Sequence, residues 1–279
     1  MEKKGIFTWF GFILKFQDKL QLIKEAGFDT ICTWFGNEFS ETDGNYLDHP
    51  EIADRFGLKI EHAHIPYYGA NSIWYDNLDG ESLFRQYIDD MKNASLSGID
   101  TLVVHPFEKI KPDTNKDHLC LERFRKLGDY ASKYDVKLAV ENLADNEVLK
   151  RILNYADNPF IGLCFDSGHN NIVAHNDFSL LSDYRDKIYA LHLHDNDGQE
   201  DLHRLPFEGN LDWEQFISAI DDSEYAKSFM LESSNPFIYS TDDEFSYNFE
   251  EKNQFDKALF YLSSAARACK SAMNFSQRD

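Results

Sequence analysis

Imidazoles and carboxylates close the short apolar runs of this chain. The runs end as His62-Ala63-His64, Val104-His105-Pro106, Val140-Glu141-Asn142 and Phe165-Asp166-Ser167-Gly168-His169. Two more end as Leu191-His192-Leu193-His194-Asp195 and Leu231-Glu232-Ser233, with Asp201-Leu202-His203-Arg204 between them. Neutral imidazole and ionised carboxylate together make a donor set for a divalent metal ion. Glu141, Asp166 and Glu232, if they converge, would repel one another strongly without a cation.

Eight apolar runs have the length of strands: 5–10, 28–35, 58–65, 99–105, 136–142, 161–166, 188–195 and 228–233. Amphipathic stretches separate most of them, at Phe16–Gly27, Gly80–Gly98, Leu119–Tyr134, Glu147–Tyr155, Asp212–Asp221 and Glu251–Met273. Gly27, Gly57 and Gly98 each stand just past a helical pattern, where a C-terminal cap is expected. Segment 170–187 is weakly patterned. Strand and helix in alternation predict parallel βα units, and eight of them close into a single (β/α)8 TIM barrel spanning 1–279. In that fold the active site lies at the C-terminal ends of the strands, the ends that carry the polar clusters. His62 and His64 share a strand face, as do His192 and His194. Only the later member of each pair need reach a metal ion; the earlier one would lie a layer deeper as a hydrogen-bonded core histidine.

Bulk composition narrows the partners. A formal net charge of −21 repels phosphate backbones and argues against nucleic acid as a partner. Aromatic residues make up 15% of the chain, which argues against disorder. The four cysteines, Cys32, Cys120, Cys164 and Cys269, form no CxxC pair and read as free thiols of a reducing compartment. No apolar stretch approaches the roughly 20 residues needed to cross a bilayer, and the N-terminus has no small-residue cleavage site. The expectation is a cytoplasmic protein with no membrane partner. His49, His118 and His175 sit in polar contexts and read as surface residues. The aromatic residues of the acid-rich stretch Thr241–Glu251 leave room for contact with a second subunit, as in a homo-oligomer.

The ordered motifs Val-Glu-Asn, Phe-Asp-Ser-Gly-His, His-Leu-His-Asp-Asn and Leu-Glu-Ser resemble the xylose-isomerase-like barrel superfamily over nearly the whole chain. That group contains sugar isomerases, epimerases and endonuclease IV. The resemblance implies a divalent metal (Mn, Mg, Co or Zn) held by Glu141, Asp166, His194 and Glu232. In ketose 3-epimerases such as D-tagatose 3-epimerase, two metal-bound glutamates exchange a proton beside the substrate carbonyl. Glu141 and Glu232 stand in the matching motifs as the catalytic pair. His169 matches a substrate-binding histidine, and Glu147 falls where those enzymes carry a substrate-binding glutamate. Their arginine after the metal histidine has no match at its spacing, where Glu200 stands, and Arg204 is the nearest replacement. His64, His105 and His203 are expected to bind the sugar or orient the metal ligands.

The chemistry suits the residue types. A divalent ion polarises the oxygens of a hydroxy-ketone and lowers the cost of an enediolate, while a carboxylate removes the neighbouring proton. The substrate expected is a small sugar, and isomerisation and epimerisation both remain open. Endonuclease IV offers a second reading, because His64, His105, Glu141, Asp166, His169, His194, Asp201, His203 and Glu232 fill the positions of its longer ligand set. Phosphodiester hydrolysis is its chemistry. A third reading is a barrel that binds sugar without turnover. Trp9, Phe10, Trp34 and Phe107 are candidates for a pocket wall, and Tyr67, Tyr68 and Asn71 for a lid.

Overall fold

The structure is a computed structural model that describes residues 1–108, 112, 117–235 and 251–277. Its strands are β1 (Lys4–Phe7), β2 (Thr30–Trp34), β3 (Lys59–His64), β4 (Thr101–Val104), β5 (Lys137–Glu141), β6 (Ile161–Asp166), β7 (Ile188–His192) and β8 (Phe229–Leu231). The first helices are α1 (Phe16–Glu25), α2 (Ser40–Asp43), α3 (His49–Arg55), α4 (Leu78–Ser97) and α5 (Asp117–Tyr134). They continue as α6 (Asn146–Ala156), α7 (Ser167–Ala174), α8 (Ser179–Asp183), α9 (Trp213–Asp221) and α10 (Glu251–Met273).

All neighbouring strands are parallel, in the order β7-β6-β5-β4-β3-β2-β1-β8. The ring closes just beyond β7 and β8, where Leu193 N donates to Met230 O at 2.9 Å and Glu232 N to Leu193 O at 3.0 Å. This is the (β/α)8 barrel that the alternation predicts. Strands buried on both faces need near-continuous apolar runs, which is why β2, β6 and β7 are buried throughout. Gly27, Gly57 and Gly98 have φ of +84°, +64° and +76°, the left-handed backbone of a helix exit. Asp145 starts α6 by accepting the amides of Glu147 (2.9 Å) and Val148 (3.4 Å).

Two local results differ from the sequence reading. Segment 170–187 holds the end of α7 and all of α8, both too short to give a clear period. His49 is buried rather than on the surface, stacked on Phe16 with ring centroids 3.9 Å apart, its Nε2 3.0 Å from Asp43 O. Polar neighbours in sequence hid that contact. Most of Thr241–Glu251 lies outside the described residues. The four cysteines are free and buried, and no helix among the described residues is long and apolar enough to cross a membrane.

Candidate metal centre and substrate cavity

Parallel strands deliver the polar clusters to one rim. Glu141, Asp166 and His192 are the last residues of β5, β6 and β7, Glu232 follows β8, and His64 ends β3. Side chains then tie these ends together. Asn142 Nδ2 donates to Asp166 O (2.9 Å), and Asp166 N donates back to Asn142 Oδ1 (2.7 Å). Ser167 Oγ donates to His194 O (2.7 Å) and accepts from His194 N (2.9 Å). Asp166 also caps α7, its Oδ1 accepting His169 N at 2.6 Å, so one carboxylate both starts a helix and faces the site. Gly168 is required beside it, because a Cβ there would overlap the ring of His194.

The contacts around Glu141 are not those of an ordinary hydrogen-bonded acid. Its Oε2 lies 3.3 Å from His64 Nε2, 3.3 Å from His105 Nε2 and 3.2 Å from His192 Nδ1. Glu141 Oε2 and His192 Nδ1 are nonetheless buried and make no hydrogen bond. His192 Nδ1 is also 3.1 Å from Glu232 Oε2. Two atoms bound to one ion at bond lengths of about 2.0–2.2 Å lie about 3.0 Å apart in an octahedron and about 3.4 Å apart in a tetrahedron. The observed separations match ligand edges around one ion. Atoms of Glu141, Asp166, His192 and Glu232 all fall within 4.8 Å of one another. These residues fit a divalent ion.

A second cluster adjoins it. Asp201 Oδ2 lies 3.4 Å from His169 Nε2 and 3.2 Å from His203 Nε2, and Asp201 Oδ1 lies 3.6 Å from His194 Nε2. His194 Nε2 also meets Asp166 Oδ1 at 3.2 Å, and its ring stacks on His203 at 4.1 Å. The electrostatics mark both clusters as places that require positive charge. Burial pushes the Glu141 carboxyl up, but the charges of His192 and His105 outweigh it and hold it well below the usual carboxylate range. Burial lowers His169, yet the Asp166 charge and bonds to Asp201 and Glu141 raise it well above an ordinary imidazole. Burial likewise opposes protonation of His203, but Asp201 carries it up to about 10. Protons on these imidazoles and a bound cation serve the same end, so binding a metal ion would expel protons.

A cavity of about 450 Å³ opens above the carboxylates. Glu141, Glu232, His64, His105, His169, Asp201 and His203 line its polar side; Phe7, Trp9, Trp34, Phe39, Tyr67 and Tyr68 are on its aromatic side. Trp34 lies parallel to His64 with centroids 5.4 Å apart, and Tyr67 parallel to His105 at 4.8 Å. Trp74 Nε1 donates to Pro106 O (2.6 Å) and Glu108 N to Asn71 Oδ1 (3.0 Å), fastening the loop after β3 to the loop after β4. Phe10 and Phe107 are core residues, fully buried.

Several residues singled out in the sequence take places that spacing alone does not give. His192, expected to lie deeper, joins the group of Glu141, Asp166 and Glu232, while His194 Nε2 stands between Asp166 (3.2 Å) and Asp201 (3.6 Å). Glu147 does not line the cavity; its side chain is 77% exposed in the first turn of α6, 4.0 Å from Lys150. Arg204 is also outside it. The paired backbones of Asp195 and Arg204 fix the chain there, and the guanidinium donates to Glu208 O at 3.3 Å. Asp195 went unassigned, although it is fully buried and its carboxylate organises the loop that carries Asp201 and His203. The signal for it was its place directly after the histidine pair.

Residues 20–253 match the family described as xylose isomerase-like TIM barrel. The chain is 32% identical over 243 residues to y4fM of Sinorhizobium fredii, described as uncharacterized, covering 74% of this chain and 77% of that one. It superposes on D-psicose 3-epimerase from Clostridium cellulolyticum with a TM-score of 0.74 and 15% identity, covering 99% and 98% of the two chains. The IolI protein, whose structure holds a zinc atom, gives a TM-score of 0.75 at 18% identity, with 98% of each chain covered. Fold, matched residues and rim geometry agree: the chain belongs to the xylose isomerase-like TIM-barrel family.

Proposed function

We propose that the protein is a metal-dependent isomerase or epimerase of a small neutral sugar, moving a proton beside the carbonyl with Glu141 and Glu232 as the paired groups. One observation carries this reading. Carboxylates from two separate strand ends converge on the same imidazole nitrogen, 3.2 and 3.1 Å away, at the floor of a sugar-sized cavity. A divalent ion at Glu141, Asp166, His192 and Glu232 would polarise the substrate's carbonyl and hydroxyl oxygens. Three oxygen donors favour Mn, Mg or Co, and recruitment of more imidazoles favours Zn.

The two glutamates are not equivalent. Glu141 is 1% exposed and meets nitrogens of four histidines, whereas Glu232 is 13% exposed. Glu232 is therefore the group better placed to reach a substrate carbon, with Glu141 the second site for the proton. The aromatic side excludes water and offers flat surface to the C–H face of a sugar. No Lys or Arg among the described residues lines the cavity, which supports an uncharged substrate over a phosphorylated one. The test is exchange of the substrate's carbon-bound hydrogen with solvent deuterium in Glu141→Gln and Glu232→Gln at saturating metal. Both variants should lose exchange by about 10²-fold or more; wild-type exchange in either metal-loaded variant removes that glutamate from the reaction.

Phosphodiester hydrolysis, as in endonuclease IV, is a second reading. The set of Asp201, His169 and His203 beside the first cluster favours it, since it offers donors for a further ion. The net charge of −21 and the absence of a cavity-lining cation among the described residues weigh against it. Cleavage of DNA containing an abasic site at ordinary salt would decide for the hydrolase.

A further inference from the structure

We propose that His62 is a positioning residue that fixes the tautomer and aim of His192 for the cation of the first cluster. The inference rests on the metal reading above. His62 lies two residues below His64 on β3, is fully buried and is outside the cavity. Its Nε2 is 3.2 Å from Nε2 of His192, whose other nitrogen faces Glu141 and Glu232.

A neutral imidazole carries one N–H. For His192 Nδ1 to direct a lone pair at a cation, its proton must sit on Nε2, and that N–H needs an acceptor in a dry interior. His62 Nε2 is the atom in place to accept. It can do so only with its own proton on Nδ1, and His62 Nδ1 is a buried atom with no hydrogen-bond partner. The fold thus tolerates one unpaired N–H to keep an acceptor beneath His192. The thiols of Cys32 and Cys164 also lie in hydrogen-bond reach of the His192 ring, and both are weaker acceptors than an imidazole nitrogen.

The remaining freedom of His192 is removed by stacking. Its ring lies nearly parallel to Phe7, 15° between planes at 6.3 Å, and to His64, 17° at 5.5 Å. Those faces set the plane, and His62 sets which nitrogen points at the carboxylates. A neutral acceptor also adds no further negative charge beneath an already acidic cluster.

The test compares zinc binding by the metal-stripped full-length chain and two variants, by competition with a chromophoric chelator. His62→Gln keeps an acceptor oxygen near the position of Nε2, whereas His62→Phe keeps the ring and removes the acceptor. Zinc affinity should fall about 10–100-fold in His62→Phe and stay within about threefold of the unaltered chain in His62→Gln. Equal affinity in the unaltered chain and a folded His62→Phe overturns the proposal, as does a His62→Gln as weak as His62→Phe. Histidine ¹⁵N NMR of the unaltered zinc-loaded chain gives a reading that needs no variant. It should find His192 protonated on Nε2 and His62 on Nδ1, and the reverse tautomers overturn the assignment. Failure of the unaltered chain to bind zinc at all would be a different result, removing the metal reading and this inference together.

Discussion

Asparagine at position 195 would keep the size of the native side chain and change only what its atoms offer. Asp195 Oδ1 accepts the amides of Asn196 (2.9 Å) and Leu211 (3.1 Å), and Oδ2 accepts the Phe207 amide (2.9 Å) and the Trp213 indole (2.9 Å). Whichever way the new amide turns, its oxygen satisfies two of these donors and its NH₂ faces the other two. A hydrogen bond to a charged group contributes about 1.5–3 kcal/mol, so losing two makes Asp195→Asn cost about 3–6 kcal/mol. That is a large part of the roughly 5–15 kcal/mol that holds a domain together. Urea denaturation followed by tryptophan fluorescence and far-UV circular dichroism measures it, with Trp213 reporting directly on the site. The loop released is the one carrying Asp201 and His203, so binding of any cation there should weaken in step. A loss of stability below about 1 kcal/mol would refute the reasoning, since it would mean these four donors find other partners.

Other outcomes follow from single features. Gly168→Ala should cost about 1–3 kcal/mol as the added methyl displaces the buried, stacked His194 ring, and an unchanged melting temperature would contradict it. Burial, then the charges of Asp89 and Glu38, raise the Asp90 carboxyl from 3.8 to about 7. The native state therefore binds its proton more tightly than the unfolded chain, and stability from this group is present near pH 4 and lost as pH rises through 7. Asp90→Asn should be nearly neutral near pH 4 and stabilise by up to about 4 kcal/mol above pH 7, a gain that urea midpoints at the two pH values would expose. A gain independent of pH would refute it.

The barrel was legible because parallel strands need apolar runs and helices need turns of the right length, and both leave periods in sequence. The rim was legible because an acid or imidazole closing an apolar run has few uses other than convergence. Depth was not legible. Strand parity puts His192 and His194 on one face but does not say that β7 ends at His192, after which the chain turns His194 toward Asp201. Chain spacing is equally silent on Glu147: the Asp145 cap starts α6 so that the side chain two residues on faces solvent. His49 was hidden for the opposite reason, since its partner Phe16 belongs to another helix and leaves no trace in the neighbouring sequence.

The central claim is that the Glu141, Asp166, His192 and Glu232 cluster holds a divalent ion that the reaction requires. The direct measurement is deuterium incorporation from solvent into a panel of unphosphorylated ketoses by the full-length protein, with metal content determined on the same sample. About one ion should be bound per chain at this cluster, with exchange at the carbon beside the carbonyl, loss of exchange on chelation and return of exchange on adding Mn²⁺ or Co²⁺. Exchange at full rate after the ion is stripped, or conversion of a ketose without deuterium uptake, would contradict it.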